Sequence, residues 1–336
     1  MLVLVTGASG FVGSRLLPQL LGEDHRVRAL ARDPARVDVR GITSGLEVLA
    51  GDVLTGAGLA RALRGVEVAY YLIHSMERTS PRREVAGAEA TTFPERERIA
   101  AENFAPAAAR AGVRRVVYLG GPTASWTGAQ DDDRDGNADG ALSPHLRSRE
   151  AVEHILREAV SDTVVLRASI VIGAGSRSFR FLVRLVERLP VLALPAWHTH
   201  RTRPIDARDV IEMLAAGATV TAATGCSLDV GGPEILSYGE MIRRIAELML
   251  VARPTIGLGV NATPLTARVA AAIAEEDPEL VGALMESLRC DLLPGGPEGS
   301  SHLRAAALLG VDLHSFDSAV ERSLRDWESV EELAAR

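Results

Sequence analysis

The sequence predicts an α/β fold built around a doubly wound parallel sheet, and three observations carry that prediction. The apolar stretch Leu2-Val3-Leu4-Val5-Thr6 feeds directly into Gly7-x-x-Gly10-x-x-Gly13 and then into a helical segment. Further Val- and Leu-rich strand segments alternate with stretches of helical spacing, and alternation of this kind means parallel strands joined by right-handed crossovers. The chain has 336 residues, 47% of them hydrophobic and 24% charged, which suits one large globular unit with an appendage and argues against disorder.

The first strand, Leu2 to Thr6, is followed by a helix over Gly10 to Leu21. In such a turn the first glycine permits the tight bend, the second leaves room for a phosphate to approach backbone N–H groups, and the third lets helix and strand pack closely. Thr6, Gly7, Ser9, Gly10, Phe11, Val12 and Gly13 are therefore expected to hold a dinucleotide pyrophosphate at the helix N-terminus. Strands follow at Arg26 to Ala31, Leu46 to Ala50, Val66 to Ile73, Val113 to Leu119 and Thr163 to Leu166. Between them the spacing predicts helices over Leu59 to Leu63, Pro94 to Ala111 and Pro144 to Ala159, the last two opening after Phe93 and Ser143. The acidic stretch from Trp126 to Leu142 lacks the spacing of a calcium loop and reads as a solvated loop.

After Leu166 the pattern breaks at Gly173 and Gly175, and a helix is expected over Phe179 to Leu189. The chain then returns to the sheet through a helix at Asp206 to Ala216 and a strand at Cys226 to Val230. Beyond about residue 233 it is Ala-rich and largely helical. The expected organisation is a nucleotide-binding domain of residues 1–168 and 206–232, with a smaller, mainly helical substrate-binding cap of residues 169–205 and 233–336.

A formal net charge of -7 argues against a surface that neutralises nucleic-acid phosphates. No apolar run reaches the length of a spanning helix, and the first strand starts at residue 2, so a cytoplasmic protein with a small-molecule substrate and no membrane or nucleic-acid partner is expected. Cys226 and Cys290 lie far apart without ligand-spaced neighbours and read as buried free thiols, and no metal is expected. His198 and His200, beside Trp197, lack a third ligand. All 37 basic residues are arginine, so chemistry that needs a lysine is excluded. Oligomeric state is not encoded in any of these features.

The segments Thr6 to Gly13, Ala29-Leu30-Ala31-Arg32-Asp33-Pro34, Gly51-Asp52-Val53, Arg114 to Leu119, Leu166 to Gly173, Pro204-Ile205 with Asp209-Val210, and Asp229 to Pro233 resemble the extended or atypical short-chain dehydrogenases/reductases of the NmrA-like branch. The resemblance covers most of residues 1–250 and is faint beyond. It implies a Rossmann-type sheet binding a nicotinamide dinucleotide. It also implies that Asp52 and Val53 flank the adenine, and that Leu72, Ile73, His74 and Ser75 pass the nicotinamide ribose. Ser169 and Ser176 follow the sixth strand and are expected at the pocket floor. The second strand ends in Ala31-Arg32, and a guanidinium suits a 2'-phosphate, so NADP(H) is expected with Arg32 as its reader; Asp33 keeps NAD(H) as the alternative.

The departure lies in the active-site motif, which in the family is a Ser or Thr with Tyr-x-x-x-Lys on a helix. Here His145 stands at the tyrosine position, Arg149 at the lysine position and Gly120-Gly121 at the serine position. A spacing of four puts His145 and Arg149 on one helix face. Histidine can act as a general acid, whereas arginine stays protonated and can only hold charge or bind hydroxyls. His145, Arg149 and Ser75 are the candidate catalytic residues, with His74 or Ser75 placed to polarise a carbonyl. The proton donor is left open between His145, a substrate hydroxyl and water. The reading is an NAD(P)H-dependent ketoreductase for a bulky, aromatic, polyketide-type substrate. The alternatives are a non-catalytic NADP(H) sensor and a quinone or C=C reductase.

Overall fold

The computed structural model describes residues 1–42, 44–74, 92–127, 143–257, 282, 285, 288, 290–295 and 299–329. Ser75 and the acidic run between Asp131 and Asp139 lie outside the described residues.

Strands β1 (Leu2–Thr6), β2 (Arg26–Ala31), β3 (Leu46–Ala50), β4 (Val68–Tyr71), β5 (Arg115–Gly120), β6 (Thr163–Arg167) and β7 (Ser227–Asp229) form one seven-stranded sheet in the order β7-β6-β5-β4-β1-β2-β3. Every neighbouring pair is parallel. The inner strands β1, β4, β5 and β6 are largely apolar on both faces because helices cover both faces, which is why these stretches read as continuous apolar runs rather than alternation. The order reverses between β1 and β4, and a crevice opens there at the carboxyl ends of the strands.

The first helix, α1 (Phe11–Gly22), buries Leu16, Leu17 and Leu20 against this sheet, each contributing roughly 1.5–3 kcal/mol. With α6 (Ala207–Thr219) it covers one face, where Met213, Leu214 and Ala218 join the same core. The other face is covered by α2 (Leu59–Ala62), α3 (Phe93–Arg110) and α4 (Pro144–Ala159), around Phe104, Tyr71 and Tyr118. A further apolar cluster gathers Phe179 and Leu182 of α5 (Arg177–Arg188), Ile242 and Ile245 of α7 (Tyr238–Leu248) and Trp327 of α9 (Phe316–Glu328).

Four details differ from the sequence reading. The helix α8 (Ser301–Leu309), grouped above with the cap, sets Ala305, Ala306 and Leu309 into the core beneath the sheet, since its small side chains allow close approach. Helix α3 begins one residue early, because Thr92 rather than Phe93 caps it: the Glu95 carboxylate accepts from both the Thr92 N–H (3.0 Å) and its hydroxyl (3.2 Å). Strand β4 is shorter than expected, because Leu72 turns out of the ladder. Its N–H donates to Thr6 Oγ1 at 3.3 Å, while that hydroxyl donates to Tyr70 O at 3.0 Å. The two cysteines are free and half-buried rather than buried. Among the described residues no helix is long and apolar enough to cross a membrane.

Candidate active site

The crevice at the switch point is a cavity of about 540 Å³. At one end it is made by backbone. Gly7 adopts φ +70°, and a Cβ there would lie 2.6 Å from Leu72 O. A Cβ on Gly13 would collide with the Gly7 carbonyl, so only glycine lets α1 pack this tightly on β1. Helix α1 has Gly10 as its N-cap, with no side-chain cap and no acidic residue in its first turn. Its free N–H groups and positive dipole end are therefore directed at the cavity, which is the electrostatic requirement of a pyrophosphate. The residues present fit a dinucleotide.

Thr6, Gly7, Ser9, Gly10, Phe11, Val12, Gly13, Arg32, Asp52, Val53, Leu72, Ile73, His74, His145, Arg149 and Ser169 all line this cavity, as does Ser176. Arg32 and Arg36 reach it from beyond the end of β2. The Asp33 carboxylate is engaged elsewhere, accepting from Ala35 N–H at 3.1 Å to cap the turn Pro34–Arg36. Asp52 Oδ1 accepts from Leu54 N–H at 2.9 Å, and Ser169 Oγ donates to Arg203 O at 3.1 Å.

The opposite end is made by side chains. Ser143 caps α4 by accepting the Leu146 N–H, and the helix presents His145, Ser148 and Arg149. Opposite them α3 contributes Glu97, whose side chain is 2% exposed. One carboxylate oxygen lies 2.8 Å from His74 Nδ1 and 3.4 Å from Arg149 Nη1, and the other accepts from Ser148 Oγ at 2.8 Å. Arg149 also donates to Ile73 O at 3.3 Å and to Leu119 O, and its guanidinium lies over the Tyr118 ring, 5.0 Å from the centroid. One arginine thus ties together the ends of β4 and β5 and both helices. The His74 and His145 rings are 5.0 Å apart, with Phe93 at 5.6 and 5.3 Å from them.

Burial works to raise the Glu97 pKa, but Arg149, His74 and Ser148 together hold it down at about 2, so the carboxylate is ionised. His145 is pushed down to about 3 by burial and by the charges of His74 and Arg149, and its buried Nδ1 has no partner among the described residues. It is a neutral imidazole at neutral pH. His74 is lowered by desolvation and Arg149, with Glu97 pulling the other way.

Glu97 was not among the residues singled out from sequence, where it is one of several charges in Glu95-Arg96-Glu97-Arg98. A signal existed: Glu97 falls on the helix face of Ala100, Ala101 and Phe104, which are buried, so it is an acid in an apolar stripe. Tyr70 and Tyr71 are buried, and among the described residues their hydroxyls have no partners, as befits packing residues. His198 Nδ1 lies 2.8 Å from Pro195 O, and His200 Nδ1 2.8 Å from Leu288 O. Among the described residues no group of three His, Cys, Asp or Glu side chains is arranged to hold a metal.

A family model described as NAD(P)H-binding matches residues 7–183. Among curated relatives, a (4-alkanoyl-5-oxo-2,5-dihydrofuran-3-yl)methyl phosphate reductase of Streptomyces griseus is 29% identical, with 82% of this chain and 84% of the relative covered. A ceramide reductase of Caulobacter vibrioides is 30% identical over 64% of this chain and 60% of its own length. Among solved structures, the UDP-glucuronic acid 4-epimerase of Bacillus cereus in complex with NAD superposes with a TM-score of 0.68 at 16% identity, covering 99% of this chain and 98% of the epimerase.

Proposed function

The chain belongs to the NAD(P)H-binding family and is an oxidoreductase of the short-chain dehydrogenase/reductase kind, and on that premise we propose that it reduces the carbonyl of a bulky small molecule with NADPH. One observation carries this reading. A single cavity joins the glycine turn, suited to a pyrophosphate, to a buried group of Glu97, His74, His145 and Arg149.

In this reading the turn from Gly7 to Gly13 holds the pyrophosphate, Asp52 and Val53 flank the adenine, and Arg32 pairs with a 2'-phosphate. The engagement of Asp33 within its own turn supports NADP(H) over NAD(H). Bound NADPH supplies the hydride. Arg149 supplies a fixed positive charge beside Ile73 and Leu119, where it stabilises negative charge developing on the carbonyl oxygen. With no lysine in the chain, a Tyr-x-x-x-Lys arrangement is not available, and the protonating group must be found among the residues present or on the substrate.

A bulky, aromatic, polyketide-type substrate is our preferred class, from the resemblance of these replaced residues to the angucyclinone ketoreductase of simocyclinone biosynthesis. A second reading, reduction of a C=C bond, is favoured by the substrate name of the Streptomyces relative, an alkanoyl dihydrofuranone methyl phosphate. The test is purified protein with NADPH and a panel of polycyclic ketones, quinones and unsaturated lactone phosphates. Loss of nicotinamide absorbance with ketones supports the proposal. Loss only with unsaturated lactones moves it to C=C reduction. Binding of NADPH with no turnover anywhere in the panel favours a sensor instead.

A further inference from the structure

His74 and Glu97 form a pair whose geometry has a direction. Glu97 is ionised and can only accept, so His74 Nδ1–H donates to it at 2.8 Å. Ser148 Oγ and Arg149 Nη1 occupy two further acceptor sites, and the carboxylate side chain is 2% exposed. The His74 side chain is 35% exposed and lines the cavity. With Nδ1 tethered at Glu97, Nε2 is the ring nitrogen left for a group in the cavity. His145 shares the wall, but among the described residues no acid orients it and its Nδ1 has no hydrogen-bond partner.

We propose that His74 is the residue that exchanges a proton with the substrate oxygen through Nε2, and that Glu97 is the positioning residue that fixes its tautomer and orientation. The assignment rests on the reductase reading above and deepens it. In reduction, the C=O π pair moves to oxygen as the carbon receives hydride from the nicotinamide. The proton on His74 Nε2 passes to that oxygen and leaves a neutral ring still donating from Nδ1 to Glu97. The ring regains its proton from solvent through its exposed edge. In oxidation the neutral Nε2 takes the hydroxyl proton.

The groups facing His74 are Glu97 and Phe93 from α3, His145 and Arg149 from α4, and Arg177 from α5. Desolvation, Arg149 and Arg177 lower its pKa below the ordinary histidine value, and Glu97 opposes them. The acid form therefore gains population as pH falls. Reduction should accelerate as pH drops through this pKa, and oxidation should slow.

The test combines kinetics with an imidazole NMR titration on cofactor-free enzyme. His74→Asn should retain NADPH binding by calorimetry, lose roughly 10²–10⁴-fold in kcat and lose the pH limb. His145→Asn should keep the limb in place. Glu97→Gln should move the His74 titration to lower pH, so that about ten times the proton concentration or more is needed to protonate the ring, and move the kinetic limb with it. Wild-type kcat and pH profile in His74→Asn, or a limb that vanishes in His145→Asn instead, overturns the proposal. If NADPH binds but nothing turns over, the reductase reading fails. The titration then decides the pair alone, and a His74 pKa unmoved by Glu97→Gln overturns it. Should Glu97→Gln fail to fold, Ser148→Ala takes its place; freeing one Glu97 lone pair should still shift the His74 titration, and no shift counts against the pair.

Discussion

The two ends of the cavity are built from different materials. At the glycine end the surface is backbone: Gly7, Gly10 and Gly13 lie within seven residues of one another in sequence and their missing side chains form the cradle. At the other end it is side chains that meet from separate elements, with His74 after β4, Glu97 on α3 and His145, Ser148 and Arg149 on α4. The first end needs only local conformation to exist. The second exists only once the sheet order has brought β4, β5, α3 and α4 together, and it depends on charge balance rather than shape.

Three substitutions test this contrast, from the largest expected effect to the smallest. Gly13→Val forces side-chain atoms into the Gly7 carbonyl and should abolish NADPH binding measured by calorimetry, with about 1–3 kcal/mol lost in urea unfolding. Retained micromolar binding would break the idea that backbone approach defines this end.

Glu97→Ala leaves Arg149 buried without its counter-charge and should destabilise the fold by about 3–5 kcal/mol at neutral pH. The sign with pH follows from the depressed Glu97 pKa of about 2. A carboxylate held below its unfolded value stabilises above the ordinary carboxylate range, and that contribution disappears as pH falls toward 2. Denaturation curves of wild type and variant should therefore converge as pH drops below about 4. A gap that stays constant would mean that the loss is one of packing, not charge.

Arg32→Ser should leave NADH binding nearly unchanged and weaken NADPH binding roughly 10- to 100-fold, the worth of a charge-assisted hydrogen bond at a partly open site. Equal effects on both cofactors would assign Arg32 a merely structural part.

The strands β1, β2 and β3 begin and end where the sequence predicts, and Ser143 caps α4 as the Ser-Pro pair implies. Those features are local, so a linear reading reaches them. The start of α3 shifts by one residue because Thr92 and Glu95 form a capping box, a Thr-x-x-Glu signal that Phe93, with no side-chain acceptor, cannot match. His145 and Arg149 were visible through their spacing on one helix. Glu97 was not, because its importance comes from partners 23, 51 and 52 positions away.

From the chain alone come the parallel sheet, the glycine turn that only residues without Cβ can form, and the absence of any lysine. Each follows from local sterics, hydrophobic periodicity or composition. The tertiary structure decided which ionisable groups share a buried space. There Arg149 holds Glu97 ionised, Glu97 orients His74, and His145 is left neutral. Electrostatics in a low-dielectric interior depends on distances between groups, and only the folded arrangement of β4, β5, α3 and α4 sets those distances.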